Sequence, residues 1–172
     1  MAKISIAEFN PGLKIGVFST AGTAFSMSAN DLHFVQFTAQ NNCTITTMSC
    51  FKSAQTAGIK SVMGIYTSVS GLPSALLGQS SVVTTANYAG VSTAGGGPTY
   101  HALTAPINLV QGTTYWLAYI QDTTANVENA FNAPSTGLFI HQAQAGFASG
   151  VLPATVTGSF PASGGFTPLA GW

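Results

Sequence analysis

The chain has 172 residues, of which only 5 % are charged: four lysines balance four acids, arginine is absent and the formal net charge is zero. That excludes a phosphate-backbone binder, which needs clustered Lys and Arg to release counterions, so nucleic acid is not an expected partner. With 46 % hydrophobic residues the chain can bury a core without disulfides, and a surface so short of charge cannot repel a second copy of itself, which favours assembly.

The N-terminal stretch "MAKISIAEFNPGLKIG" (1–16) lacks the apolar core and small-residue cleavage site of a signal peptide. It is expected to be an N-terminal arm or edge strand. No stretch approaches the ~18 apolar residues of a spanning helix, so no membrane partner is expected.

From residue 17 to 149 the pattern is that of short strands. "LHFVQFTA" (32–39), "CTITTMSCFKS" (43–53), "IKSVMGIYTS" (59–68), "SSVVTTA" (80–86), "TYHALTA" (99–105), "TTYWLAYIQ" (113–121) and "TGLFIHQA" (136–143) are rich in β-branched and aromatic residues. No window sustains the 3-and-4 apolar spacing of a helix. Gly, Pro, Asn and Ser mark the gaps: "AQTAG" (54–58) suits a hairpin, "GLPSALLGQSS" (71–81) a sandwich corner whose Leu76 and Leu77 close the core, "AGGGP" (94–98) a flexible loop and "VQGTT" (110–114) a tight turn. In "TTYWLAYIQ" both faces are apolar or aromatic, which marks a central strand. The expected fold is therefore all-β, a single-domain antiparallel β-sandwich of jelly-roll type.

Residues 150–172, "GVLPATVTGSFPASGGFTPLAGW", are interrupted by Pro153, Pro161 and Pro168 and read as a C-terminal arm or edge strand. Phe160, Phe166 and Trp172 in this arm, with Phe9 and Pro11 in the N-terminal one, are the candidate assembly contacts. Cys43 and Cys50 lie seven apart on one strand, roughly 23 Å, which is beyond disulfide reach, so two buried free thiols are expected.

Residues for chemistry are scarce. No G-x-S-x-G elbow is present, and His33, His101 and His141 with Asp31 and Asp122 are few partners for a nucleophile. Asp31 and His33 share a strand face, a beginning for a metal site, but a strand histidine is more often a packed or interfacial residue than a ligand. Glu8, Asp31, Asp122 and Glu128 show no spacing suited to paired-carboxylate hydrolysis. No catalytic residue, metal or cofactor is expected. Sugar stacking remains open at Tyr88 and Tyr100, which bracket the glycine-rich loop, whereas Trp116 and Tyr119 are expected in the core.

"VMGIYTSVSGLPSALLGQSSVVT" followed by "LTAPINLVQGTTYWLAYIQD" resembles a jelly-roll pattern of phage virion surface proteins and some secreted bacterial proteins. In those modules a "GIY" strand, a "GLP-x-A-L-L" corner and an "L-x-x-G-T-T-Y-W-L-A" strand recur in that order, here across residues 43–121. The resemblance implies a non-enzymatic capsid decoration or cement protein, made in the host cytoplasm and placed on the capsid exterior. Its implied partners are copies of itself, as a homotrimer with arms reaching neighbours, and the major capsid protein. A receptor- or carbohydrate-binding module of a tail fibre or secreted protein is the alternative.

Overall fold

The computed structural model describes residues 24–52, 58–84, 97–128, 139–143, 150–157 and 170–171. Every regular element among them is a strand: β1 (Ala24–Met27), β2 (Asp31–Thr38), β3 (Cys43–Lys52), β4 (Lys60–Val69), β5 (Leu72–Gln79), β6 (Val83–Thr84), β7 (Gly97–Leu109), β8 (Thr114–Gln121), β9 (Ala125–Glu128), β10 (Phe139–Ala143) and β11 (Ala170–Gly171). The main sheet runs β10-β2-β8-β4-β5, with β6 also on β4; a second sheet runs β11-β3-β7, and β1 pairs with β9. All named pairings are antiparallel. The fold is an all-β sandwich, and the nested pairing of β2 with β8 and β3 with β7 is what a rolled-up double strand gives.

Side-chain alternation assigns the faces. Val35, Phe37, Met63, Ile65, Tyr115, Leu117 and Tyr119 point from the main sheet toward Ile45, Met48, Ile107 and Leu109 of the second, making the inter-sheet core. Their neighbours Leu32, Phe34, Val62, Tyr66, Trp116, Ala118 and Ile120 form a second buried cluster on the opposite face, together with Leu152 and Val156. The main sheet is thus apolar on both sides, and β8, buried along nearly its whole length, is its central strand.

Irregular pairing fits the chain to this shape. Between Ile45↔Ile107 and Thr47↔Ala102 the register shifts, so residues 103–106 of β7 stand against one residue of β3. Pro106 has no N–H to give to the ladder there. Leu103 instead bridges Ser80, whose own N–H donates to the Met63 carbonyl at 2.8 Å, so the 79–81 segment ties the two sheets together along this side.

Several expectations need correction. Of the 54–58 stretch, expected as a hairpin, only Gly58 is among the described residues; the strands on either side, β3 and β4, belong to different sheets and do not pair. The "GLPSALLGQSS" corner is mostly strand β5; only Ser70 and Gly71 turn, at φ 52° and 76°, as a two-residue hairpin of the primed type demands. Leu76 packs on the second cluster, but Leu77 is the unpaired residue of a β-bulge and is exposed, so it does not close the core. Gly97 and Pro98 of the expected glycine-rich loop begin β7, and within the described part of the expected 80–86 strand Val83 and Thr84 form β6. The 110–114 turn is present: Gly112 sits at φ 76° and the Thr113 N–H donates to the Val110 carbonyl at 3.1 Å.

Candidate functional site

The only polar side chains gathered in the described interior sit at one end of the inter-sheet core: His33, Ser61, Ser80, His101 and Gln121 are all buried. Register explains the grouping. Ser61 lies opposite Gln121, and Tyr119 lies between His33 and Met63, so β2, β8 and β4 bring these residues to one end, while β7 presents His101 from the facing sheet.

A hydrogen bond of 3.0 Å joins Ser61 Oγ to His101 Nε2. The Tyr119 hydroxyl donates to Gln121 Oε1 at 2.8 Å, and the His101 ring meets Tyr119 edge-on with centroids 6.3 Å apart. Ser80 Oγ accepts the Met63 N–H at 3.1 Å and donates to the Ser81 carbonyl at 2.8 Å. Buried polar groups must be satisfied internally, and here the Ser61–His101 bond also joins β4 of the main sheet to β7 of the second.

A serine hydrogen-bonded to a histidine is also the first half of a nucleophile-base pair. Ser61 and His101 are both fully buried, whereas a nucleophile must be presented to substrate. The nearby Asp122 carboxylate is occupied elsewhere, accepting the Lys60 N–H and the Thr123 hydroxyl, each at 3.0 Å. Among the described residues no three His, Cys, Asp or Glu side chains gather as a metal site would require. His33 is buried, with His141 of β10 opposite it in register.

The other expected site residues scatter. Tyr100 is 64 % exposed, next to the buried His101. Trp116 and Tyr119 are fully buried, as expected for core residues: Trp116 Nε1 donates to Ser68 Oγ at 3.1 Å and its ring stands perpendicular to Phe34. Cys43 is a free, half-buried thiol at the edge of the core, and burial pushes its pKa up. Phe9, Pro11, Tyr88, Phe160, Phe166 and Trp172 lie outside the described residues.

The segment 150–157 belongs to the stretch expected as a C-terminal arm or edge strand, but sequence reasoning named no partner for it. It adds to the outer edge of β5 through an antiparallel bridge of Ala75 with Thr155, with the Leu76 N–H donating to the Ala154 carbonyl and the Val156 N–H to the Ser74 carbonyl, each at 2.9 Å. The Gln79 side chain grips it, Nε2 donating to the Gly150 carbonyl at 3.0 Å and Oε1 accepting the Leu152 N–H at 2.7 Å. The Tyr66 hydroxyl donates to the Pro153 carbonyl at 2.8 Å, and burial holds that phenol well above the usual tyrosine range. Leu152 lies where Gly64 has no side chain: a Cβ on Gly64 would stand 2.5 Å from Leu152 Cδ1. The glycine of the "GIY" strand therefore makes room for this strap.

Comparison with protein-family models, with curated proteins and with solved structures finds no match to this chain.

Proposed function

We propose that the chain is a non-enzymatic structural protein of a phage virion: a capsid decoration or cement protein that acts at the capsid exterior as a homotrimer bound to the major capsid protein. The observation that carries this reading is a nearly uncharged chain with apolar side chains left on its surface. Val69, Leu72, Leu77, Val82, Val110 and Val151 are exposed, and there is little charge to keep copies apart. The sealed Ser61–His101 pair supports it further, since its polar groups hold strands together rather than face a substrate. The likeness of the "GIY", "GLPSALL" and "GTTYWLA" stretches to virion surface modules supplies the location. Analytical ultracentrifugation and co-sedimentation with purified particles test it. A discrete oligomer that sediments with particles is expected; a strict monomer at high concentration, absent from particles, overturns the reading.

The exposed Tyr100 favours a second reading, a receptor- or carbohydrate-binding module, because an aromatic ring open to solvent can stack on a sugar. A glycan array that lights up for the wild type and goes dark for Tyr100→Ala supports it; an array without hits removes it.

A further inference from the structure

The chain has three histidines, His33, His101 and His141, and the fold brings all three to one layer of the inter-sheet core. His141 of β10 stands opposite His33 of β2, His33 opposite Tyr119 of β8, and Tyr119 opposite Met63 of β4. Register neighbours of this kind lie about 4.5–5.5 Å apart at Cα. From the facing sheet β7 presents His101 to the same row, its ring centroid 6.3 Å from that of Tyr119 and its Nε2 3.0 Å from Ser61 Oγ. His33 is 3 % exposed and His101 0 % exposed, so a proton taken up by either ring places a charge inside the core.

What faces His101 decides whether such a charge is tolerated. β4 brings Ser61, β8 brings Tyr119 and Gln121, β3 brings Met48 with Cys50 two positions on, and the 79–81 segment brings Ser80 beside Leu103. All of these are uncharged at neutral pH. Beyond Tyr119 stand His33 and, at the register position after it, His141. Among the described residues the charged ones are Asp31, Lys52, Lys60, Asp122 and Glu128. Lys60 and Asp122 fall on the alternate face, one residue from Ser61 and Gln121, where the Asp122 carboxylate accepts the Lys60 N–H at 3.0 Å. Lys52 ends β3 four residues beyond Met48, and Glu128 ends β9 opposite Ala24. Asp31, half-buried, shares the face of His33 and is level with Gln121. It favours a positive charge on His33, two residues away, and a charge there opposes a second one on His101 across the Tyr119 ring.

We infer that His101 is an acid-sensitive latch between the two sheets. Neutral, it joins β7 to β4 through Ser61; protonated, it puts a charge into the core and drives the seam open. Burial disfavours the charged imidazole, whereas the same ring in the open chain takes up its proton at about pH 6.5. Below that pH the unfolded chain binds more protons than the folded one, so stability falls as pH falls. This acid sensitivity does not depend on the proposed function; it sets a condition under which the sandwich comes apart.

Urea unfolding of the full chain at pH 7.5 and pH 5.0, both above the range in which Asp and Glu titrate, tests it, with His101→Gln beside the wild type. Glutamine keeps an amide for Ser61 and takes up no proton. A ring held neutral in the fold and free to titrate in the open chain raises the unfolding constant up to about 30-fold between these two pH values. The acid-induced rise in the wild type should therefore exceed that in His101→Gln by up to about 30-fold. An equal rise in the two, or none in the wild type, overturns the inference. A second readout needs no change at position 101: the imidazole C–H resonances of the wild type are followed by NMR from pH 7.5 to pH 5.0, with His33→Gln and His141→Gln assigning the other two rings. The His101 signal should hold its neutral shift for as long as the chain stays folded. Movement of that signal in the folded chain with a midpoint at about pH 6.5 or above overturns the latch, even if His101→Gln does not fold.

Discussion

On one side of the main sheet the core is closed by a whole second sheet, whose residues Ile45, Met48, Ile107 and Leu109 interlock with it. On the other side, at β4 and β5, closure comes from eight residues carrying two apolar anchors, Leu152 and Val156. The first side is sheet-on-sheet packing between hydrogen-bonded sheets, and it opens only if the sheets separate. The second is held by a strap whose hydrogen bonds are partly to side chains, Gln79 and Tyr66, and so it is the side that local unfolding would reach first. Both sides meet at β8, where Trp116 faces the strap side and its neighbours Tyr115 and Leu117 face the second sheet.

The largest effect is expected where the strap-side cluster is deepest. Trp116 is fully buried and packs perpendicular to Phe34, so Trp116→Ala should cost about 3–5 kcal/mol in urea unfolding. A cost below about 1 kcal/mol would mean that the strap side is dispensable to the fold.

The strap itself is probed at Gly64 and Leu152. Leu152→Ala empties a buried position and should cost about 2–5 kcal/mol, far more than the roughly 0.5 kcal/mol of a surface change. Gly64→Ala forces a Cβ toward Leu152 Cδ1 and to 3.1 Å from the Gly78 carbonyl, for about 1–3 kcal/mol. Combined, the two should cost less than their sum, because the first removes the atom that the second collides with. Strict additivity in unfolding experiments would show that the strap does not sit over Gly64.

On the second-sheet side, Ser61→Ala leaves His101 Nε2 without its 3.0 Å partner inside the core, at a cost of about 1–3 kcal/mol. Ser61→Ala with His101→Leu should recover part of that loss, since removing both ends of the 3.0 Å bond leaves neither of them unsatisfied. If the double variant is no more stable than Ser61→Ala, the histidine contributes chiefly through its other contacts, such as the Tyr119 ring.

The difference between the sides also governs what could be read from sequence. "TTYWLAYIQ" declares a central strand because both of its faces are apolar, and "LHFVQFTA" declares a strand by its aromatic and aliphatic residues, which are buried on both faces. β5 gives no such signal: "LPSALLGQ" carries Pro, Ser and Gly and reads as a turn. It is a strand because two register shifts and the Thr67 hydroxyl, which accepts the Ala75 N–H at 3.0 Å, absorb its irregularity against β4. The Ser61–His101 pair joins residues 40 apart in the sequence, on strands of different sheets, and nothing local marks either as a partner of the other. Nor does "VLPATV" betray the strap: Leu152, Ala154 and Val156 keep the strand period of two, but Pro153 interrupts the run and the partners Gly64, Tyr66 and Gln79 lie more than 70 residues upstream.

The finest probe of the strap is a single hydroxyl. Tyr66→Phe removes the hydrogen bond to the Pro153 carbonyl and should cost about 0.5–1.5 kcal/mol at pH 8. The sign of its pH dependence follows from burial, which raises the folded pKa above the ordinary tyrosine value of about 10. Below about pH 10 the phenol is neutral in both states and its full contribution is present. As pH rises past that point the unfolded chain ionises while the folded one does not, so the contribution is lost, by up to about 1.4 kcal/mol per pH unit. The stability gap between wild type and Tyr66→Phe should therefore close or reverse between pH 8 and pH 11. A gap that stays constant over that range would mean that Tyr66 ionises as readily in the fold as in the open chain, and hence that the strap does not cover it.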